Sequence, residues 1–156
     1  MPTLPSRTLA PLFDRLSVSA GEAMAPMYMD GDQVQASIRN ELIQIFATRS
    51  SCPFHAFFEN DHGVLDYGIP DSSGMSMDAI EDRRRLEAAL VLAIARFEPR
   101  LSDVTVSVQP STERGADALV KIDGRLQLGS TTRHATFVLD PRRMLDAPNV
   151  HPGWSR

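Results

Sequence analysis

The chain has 156 residues, which is enough for one hydrophobic core of ordinary size but not for two. Its composition, with 42% hydrophobic and 23% charged residues, is that of a globular protein and excludes a fibrous or wholly disordered chain. The formal net charge of −4 argues against a general nucleic-acid binder, which needs an excess of cations to release phosphate counterions.

The single cysteine and the short apolar runs indicate in which cellular compartment the protein is located. Because Cys52 has no second cysteine to pair with, no intrachain disulfide can form, and a reducing compartment fits. The longest apolar run, residues 88–95, is far shorter than the roughly 20 residues that a membrane-spanning helix needs. The N-terminus also lacks the apolar region of a signal peptide. We therefore predict a cytoplasmic protein that does not insert into a membrane.

Residues 1–31 contain repeated prolines and are predicted to form an N-terminal arm without a long regular element. Within this arm Leu12, Phe13 and Leu16 follow helical spacing, so they can form one or two turns with an apolar side. Such a turn either folds back onto the core of its own chain or docks on a partner, and the sequence leaves both interpretations open.

A first helix is predicted from Asp30 or Asp32, as the capping residue, to about Arg49. Its apolar residues repeat every three to four positions and indicate one buried face: Val34, Ile38, Leu42, Ile45 and Phe46. The aromatic connection that follows, residues 52–58, is interpreted as a lid on the core rather than a ligand site.

A second helix is predicted to begin at a capping box of Asp78 and Glu81. Its apolar stripe is wide, which predicts a well-buried element. Pro99 must end it near Phe97 or Glu98, because proline lacks the N–H that a helix interior requires. At the resulting corner Glu98 and Arg100 carry opposite charges, so they either pair with each other or clamp another group.

Beyond this corner, hydrophobic and polar residues alternate in three segments, which predicts three strands. The strands contain Val104 to Val108, Ala118 to Leu128, and Ala135 to Leu139. The predicted fold class is therefore α+β, with two main helices packed on one face of a small antiparallel β-sheet of three or more strands. The α+β domain would span residues 32–140, and residues 141–156 would form a C-terminal tail. The strand with Val138 is expected to offer an edge to another chain.

The sequence predicts no catalytic, cofactor-binding or metal site. The four histidines are scattered without the paired spacing of zinc ligands, and no glycine-rich phosphate-binding loop is present. A muramidase is the less favoured alternative, because glycoside hydrolysis needs two carboxyl groups about 5–9.5 Å apart across a sugar cleft, one of them kept protonated, and no cleft-forming pattern accompanies the candidates. The candidate pairs are Glu59 with Asp61, and Glu98 with Asp103.

Four segments follow one another along the chain: Leu12-Phe13-Asp14-Arg15-Leu16, Ile38-Arg39 through Thr48-Arg49, Asp66-Tyr67-Gly68-Ile69-Pro70-Asp71, and Phe97-Glu98-Pro99-Arg100-Leu101. In order and spacing they resemble the TssE family of type VI secretion baseplate subunits, which are related to wedge proteins of contractile-phage baseplates.

This resemblance implies a non-enzymatic structural subunit without cofactors, in a cytoplasmic wedge with TssF and TssG and near TssK. The family is thought to start polymerisation of the contractile sheath, built of TssB and TssC, by exchange of β-strands. The same resemblance leaves open a phage tail or another contractile injection particle. The candidate interface residues are Leu12, Phe13 and Leu16 in the arm, Glu98, Pro99 and Arg100 at the corner, and Val138 on the last strand.

Overall fold

The structure is a computed structural model that describes residues 8–9, 28–59, 63, 66–110, 118–129 and 131–140. Its helices are α1 (Gly31–Ala47) and α2 (Ile80–Phe97), and a short 3₁₀ helix spans Ala56–Phe58. Its strands are β1 (Thr8–Leu9), β2 (Tyr28–Met29), β3 (Leu101–Pro110), β4 (Ala118–Leu128) and β5 (Thr131–Leu139). The predicted fold class is confirmed: two helices accompany a three-stranded antiparallel sheet of order β3-β4-β5.

Helix α1 begins at a complete capping box. The Asp30 carboxylate accepts the backbone N–H of Gln33 at 2.9 Å, and the Gln33 side chain accepts the N–H of Asp30 at 2.9 Å. The predicted apolar face is confirmed, with Val34, Ile38 and Leu42 buried in the core shared with the sheet. Of the two candidate caps, Asp30 takes the position and Asp32 lies in the first turn.

Helix α2 begins one residue after Ala79, which makes no side-chain capping bond, so the predicted capping box of Asp78 and Glu81 is wrong. A different side chain holds the entering chain: the Asp82 carboxylate accepts the backbone N–H of Ser76 at 2.9 Å. The end of the helix is as predicted. Phe97 is its last residue, and the N–H of Glu98 donates to the carbonyl of Ile94 at 2.8 Å.

The sheet buries one face against the helices. Across its three strands Val106 pairs with Ile122 and Ile122 with Phe137, and all three side chains lie in the core. The pairing of β3 with β4 is irregular between Ser102 and Thr105, where Asp103 has a φ of 51°. This bulge lies within β3, which starts three residues earlier than the valine alternation predicted.

A second buried cluster lies beneath the 3₁₀ helix, where Phe57 packs with Ile45, Ala89 and Ala93. The interpretation of residues 52–58 as a lid on the core therefore holds for Phe57, whose side chain is fully buried. Arg96 of α2 anchors the lid, because its guanidinium donates to the carbonyl of Phe57 at 3.0 Å and lies 5.1 Å from the ring centroid.

Part of the predicted arm returns to the start of α1, because β1 pairs antiparallel with β2, Thr8 opposite Met29. Leu12, Phe13, Leu16 and the predicted tail, residues 141–156, lie outside the described residues. The proposed boundaries of arm, domain and tail therefore stay predictions.

Candidate protein-interaction site

The corner after α2 is built around a buried carboxylate. The Glu98 side chain is 1% exposed and lies where α2 meets β3. Burial of a carboxylate is costly unless the charge is paired and hydrogen-bonded. Arg100 supplies that pairing: its Nε lies 2.7 Å from Oε1 of Glu98, its Nη2 2.5 Å from Oε2, and its backbone N–H donates to Oε1 at 3.1 Å. The two residues thus form a bidentate ion pair across Pro99.

Arg100 also links the corner to helix α1. Its Nη1 donates to the Ser37 hydroxyl at 3.0 Å, and its carbonyl accepts the N–H of Gln127 on β4 at 3.2 Å. Glu98 and Ser37 thus hold the guanidinium and Gln127 holds the Arg100 backbone, yet 29% of the Arg100 side chain is exposed. Pro99 beside it is exposed. At the surface, therefore, the corner presents Pro99 and one side of Arg100, while Glu98 orients Arg100 from below.

An aromatic contact lies on the other side of the same helix end. The ring centroids of Tyr67 and Phe97 are 5.0 Å apart, and the Tyr67 hydroxyl donates to the Glu41 carboxylate at 2.8 Å. Burial, followed by this hydrogen bond to Glu41, raises the pKa of the Tyr67 hydroxyl far above its usual range. The sequence showed Tyr67 only as part of a rigid loop and gave no signal of its partner.

The loop that carries Tyr67 is tied to the end of α1 by backbone hydrogen bonds. The N–H of Ser50 donates to the carbonyl of Ile69 at 2.8 Å, and the N–H of Ile69 to that of Thr48 at 3.0 Å. Gly68, between Tyr67 and Ile69, has a φ of 106°, which favours glycine. The segments that contain Thr48 and Gly68, two of the four that carry the family resemblance, are thus joined in one structural unit.

Val138 lies on β5, an outer strand of the sheet, and its side chain is 51% exposed. Helix α1 runs beside this strand and contacts it at two places. Asp32 pairs with Arg133 at 3.2 Å, and Nη1 of Arg39 lies 3.4 Å from the carbonyl oxygen of Val138. The contact from Arg39 was not predicted, because its partner lies 99 residues along the chain.

On the outer face of the sheet, several polar side chains pair with one another. Lys121 pairs with Asp123 at 2.9 Å, and the Thr136 hydroxyl donates to Asp123 at 2.5 Å. The hydrogen bond from Thr136, then that from Lys121, lowers the pKa of the Asp123 carboxyl. Asp103 pairs with Arg125 at 3.4 Å on this exposed face.

The ion pairs described above involve both carboxylates of one candidate muramidase pair, Glu98 with Asp103. Glu98 is buried against Arg100, whereas Asp103 faces Arg125 on the exposed side of the sheet, so each carboxylate has an ionic partner. Of the other pair, Asp61 lies outside the described residues. In the part of the chain that the structure describes, no three His, Cys, Asp or Glu side chains are grouped to hold a metal ion. Among the described helices, none is long and apolar enough to span a membrane.

The described part of the chain thus has a charged corner held by an ion pair and an exposed strand at one edge of its sheet. A family model for the baseplate wedge protein gp25 matches residues 32–130. The chain belongs to this baseplate wedge family, whose members are structural proteins and not catalysts. The resemblance to wedge proteins that was predicted from four short segments is thereby confirmed.

A chain in a solved structure of the baseplate complex from the type VI secretion system is also similar to this chain. The two share 18% sequence identity with a TM-score of 0.47, over 70% of this chain and 94% of that one. A search of curated proteins found no significant match.

Proposed function

We propose that this protein is a TssE-type structural subunit of a type VI secretion system baseplate wedge, without enzymatic activity or a cofactor. It would join TssF and TssG near TssK in the cytoplasm and help to start the sheath of TssB and TssC. The family assignment supports a wedge role. The sequence segments around Arg39, Gly68 and Pro99 resemble the TssE family, so we propose the secretion system first and keep a phage tail or another contractile injection particle as the alternative.

The observation that carries the sheath role is the edge strand β5. It pairs with β4 without irregularity from Thr131 to Leu139, and Val138 is half exposed on it. An unbroken edge strand can accept a strand from another chain through backbone hydrogen bonds. We propose that a sheath subunit adds a strand here, which would make the wedge subunit a template for the first sheath ring.

The corner would serve the wedge contacts. Arg100 is held in one orientation by Glu98 and Ser37 and still reaches the surface beside Pro99. A preoriented guanidinium loses little side-chain entropy when it binds a carboxylate or a carbonyl of a partner. Leu12, Phe13 and Leu16 of the arm, outside the described residues, are proposed as a second docking element for TssF and TssG.

Proline at Val138 tests the sheath role. The carbonyl of Val138 faces Arg39 and not β4, so its N–H also points outward and proline should leave the pairing with β4 intact. In a reconstituted baseplate, Val138→Pro should block sheath polymerisation at unchanged wedge assembly. Val138→Ala, which keeps the N–H, is the matched control. Normal polymerisation with Val138→Pro would contradict strand exchange at β5.

The absence of enzymatic activity and the choice of machine are tested separately. Digestion of purified cell walls by the protein, abolished by Glu98→Gln, would refute the structural role in favour of the muramidase. Genes for a sheath and other baseplate proteins beside this gene, without capsid genes, would support the secretion system; capsid and tail-fibre genes would assign the protein to a phage tail.

A further inference from the structure

The outer edge of β3 is occupied by a side chain of helix α2. In an antiparallel pair, every second residue points its N–H and C=O away from the neighbouring strand. The backbone N–H of Val108 donates to the Glu87 carboxylate at 2.8 Å, so this group faces the helix and not β4. The alternation then places Val106 and Pro110 on the same outward row of β3.

Three features interrupt this outward row. Glu87 occupies the N–H of Val108 with a charge-assisted hydrogen bond, which is stronger than one between neutral groups. Pro110, two residues on, has no N–H to offer. At the other end, the bulge between Ser102 and Thr105 shifts the register. A strand that paired with the outer edge of β3 would have to displace the Glu87 carboxylate from the Val108 N–H. It would also form no hydrogen bond to the nitrogen of Pro110, and its own backbone would have to match the bulge between Ser102 and Thr105.

The outer edge of β5 differs in each respect. Its carbonyl at Val138 faces Arg39, so the alternation places the backbone groups of Thr132, His134 and Thr136 on the same outward row. The register with β4 is continuous along this row, and the strand contains neither proline nor glycine. The contact from Arg39 is long, at 3.4 Å, and its side chain is exposed, so an incoming strand can displace it at low cost.

The geometry points to Glu87 as the residue that closes the β3 edge and thereby directs an added strand to β5. This inference rests on the proposed strand exchange at β5 and deepens it, because it names the side chain that closes the other edge of the sheet. The choice has a large geometric effect. Strands added at the two edges would lie about 19 Å apart, four spacings of about 4.8 Å, so only one of them can continue a sheath in register.

A first experiment measures, in the isolated chain, how strongly Glu87 protects the Val108 amide from hydrogen exchange. NMR hydrogen exchange should show that the Val108 amide exchanges about tenfold faster in Glu87→Ala than in the unmodified protein. Glu87→Gln retains an acceptor oxygen and should keep most of the protection. Glu81→Ala, an exposed glutamate in the first turn of the same helix, is the matched control and should leave Val108 unchanged. Equal Val108 exchange in all four proteins would overturn the inference.

A second experiment locates the added strand by hydrogen–deuterium exchange with mass spectrometry, after mixing the chain with TssB and TssC. In the unmodified protein and in Glu81→Ala, peptides covering residues 131–139 should become protected and those covering 101–110 should not. In Glu87→Ala, residues 101–110 should gain protection as well. Protection of residues 101–110 in the unmodified protein, or of β5 alone in Glu87→Ala, would overturn the role of Glu87 but not strand exchange. Protection of neither strand would refute the proposed strand exchange itself.

Discussion

Arg100 returns across Pro99 to form a bidentate ion pair with Glu98, with Nε 2.7 Å from Oε1 and Nη2 2.5 Å from Oε2. The Glu98 carboxylate is buried, whereas the Arg100 guanidinium is only partly buried. The buried carboxylate therefore holds a positive charge in a fixed position at the surface. Both interpretations of this corner that the sequence left open therefore have a physical basis. The residues pair with each other, and in doing so they position Arg100 for the contact that we propose.

Removal of the buried carboxylate should destabilise the fold. Glu98→Ala leaves a cavity and deprives the Arg100 guanidinium and the backbone N–H of Arg100 of their acceptor. Breaking a buried ion pair in this way costs about 3 kcal/mol in the free energy of unfolding. Urea denaturation measures the loss. Glu59→Ala, an exposed glutamate, should change the stability by less than about 0.5 kcal/mol, and an equally small effect of Glu98→Ala would show that the pair contributes little.

Binding to TssF and TssG should require the Glu98–Arg100 ion pair, even in a variant whose stability does not depend on that pair. Arg100→Ala alone is a poor test, because it leaves the Glu98 carboxylate buried without its partner. Replacing Glu98 and Arg100 together by Met removes both charges, and such swaps are often neutral in stability or better. We expect this double variant to unfold within about 1 kcal/mol of the unmodified protein but to lose co-purification with TssF and TssG.

The control for this variant is the exposed pair on the sheet. Replacing Asp103 by Asn and Arg125 by Gln also removes one ion pair, keeps a residue that tolerates the positive φ at position 103, and should leave co-purification unchanged. Retention of TssF and TssG by the double-methionine variant would mean that the corner is a structural feature only.

Tyr67 should make stability fall at high pH. Its pKa is raised in the folded state by burial and by the bond to Glu41, whereas in the unfolded chain it titrates near about 10. The unfolded state therefore loses its proton first, so the contribution of Tyr67 is complete below about pH 10 and declines as the pH rises above that value. The difference in unfolding free energy between the unmodified protein and Tyr67→Phe should shrink between about pH 9 and pH 11. Tyr28→Phe, at an exposed tyrosine, is the control, and a difference that stays constant would contradict this account.

Gly68 should not tolerate a side chain. Its φ of 106° is rarely adopted by other residues, and a Cβ atom here would clash with the backbone carbonyl of Thr48. Gly68→Ala should therefore lower the free energy of unfolding by about 2 kcal/mol or more, and loosen the loop from α1. Gly74→Ala is a close control, because a Cβ atom there meets no atom within 4 Å. Similar melting temperatures of the two variants would refute the proposed strain.

Much of the fold followed from the sequence, because helices and strands of this chain bury one face each and so leave a periodic pattern. The apolar spacing of Val34, Ile38 and Leu42, the alternation along β4 and the helix stop before Pro99 are all local features. The wedge family followed as well, since four short segments kept their order and spacing.

The polar contacts were decided only by the tertiary structure. Arg100 meets Ser37 across 63 residues, Val108 meets Glu87 across 21, and Asp82 displaces the expected capping box by reaching back to Ser76. A hydrogen bond depends on the positions of two groups to within a few tenths of an ångström, and no periodicity in the chain encodes that distance. The sequence by itself therefore determined which faces are buried and which family the chain joins. Packing alone decided that Glu98 faces inward, that Arg100 reaches the surface, and that the two edges of the sheet differ.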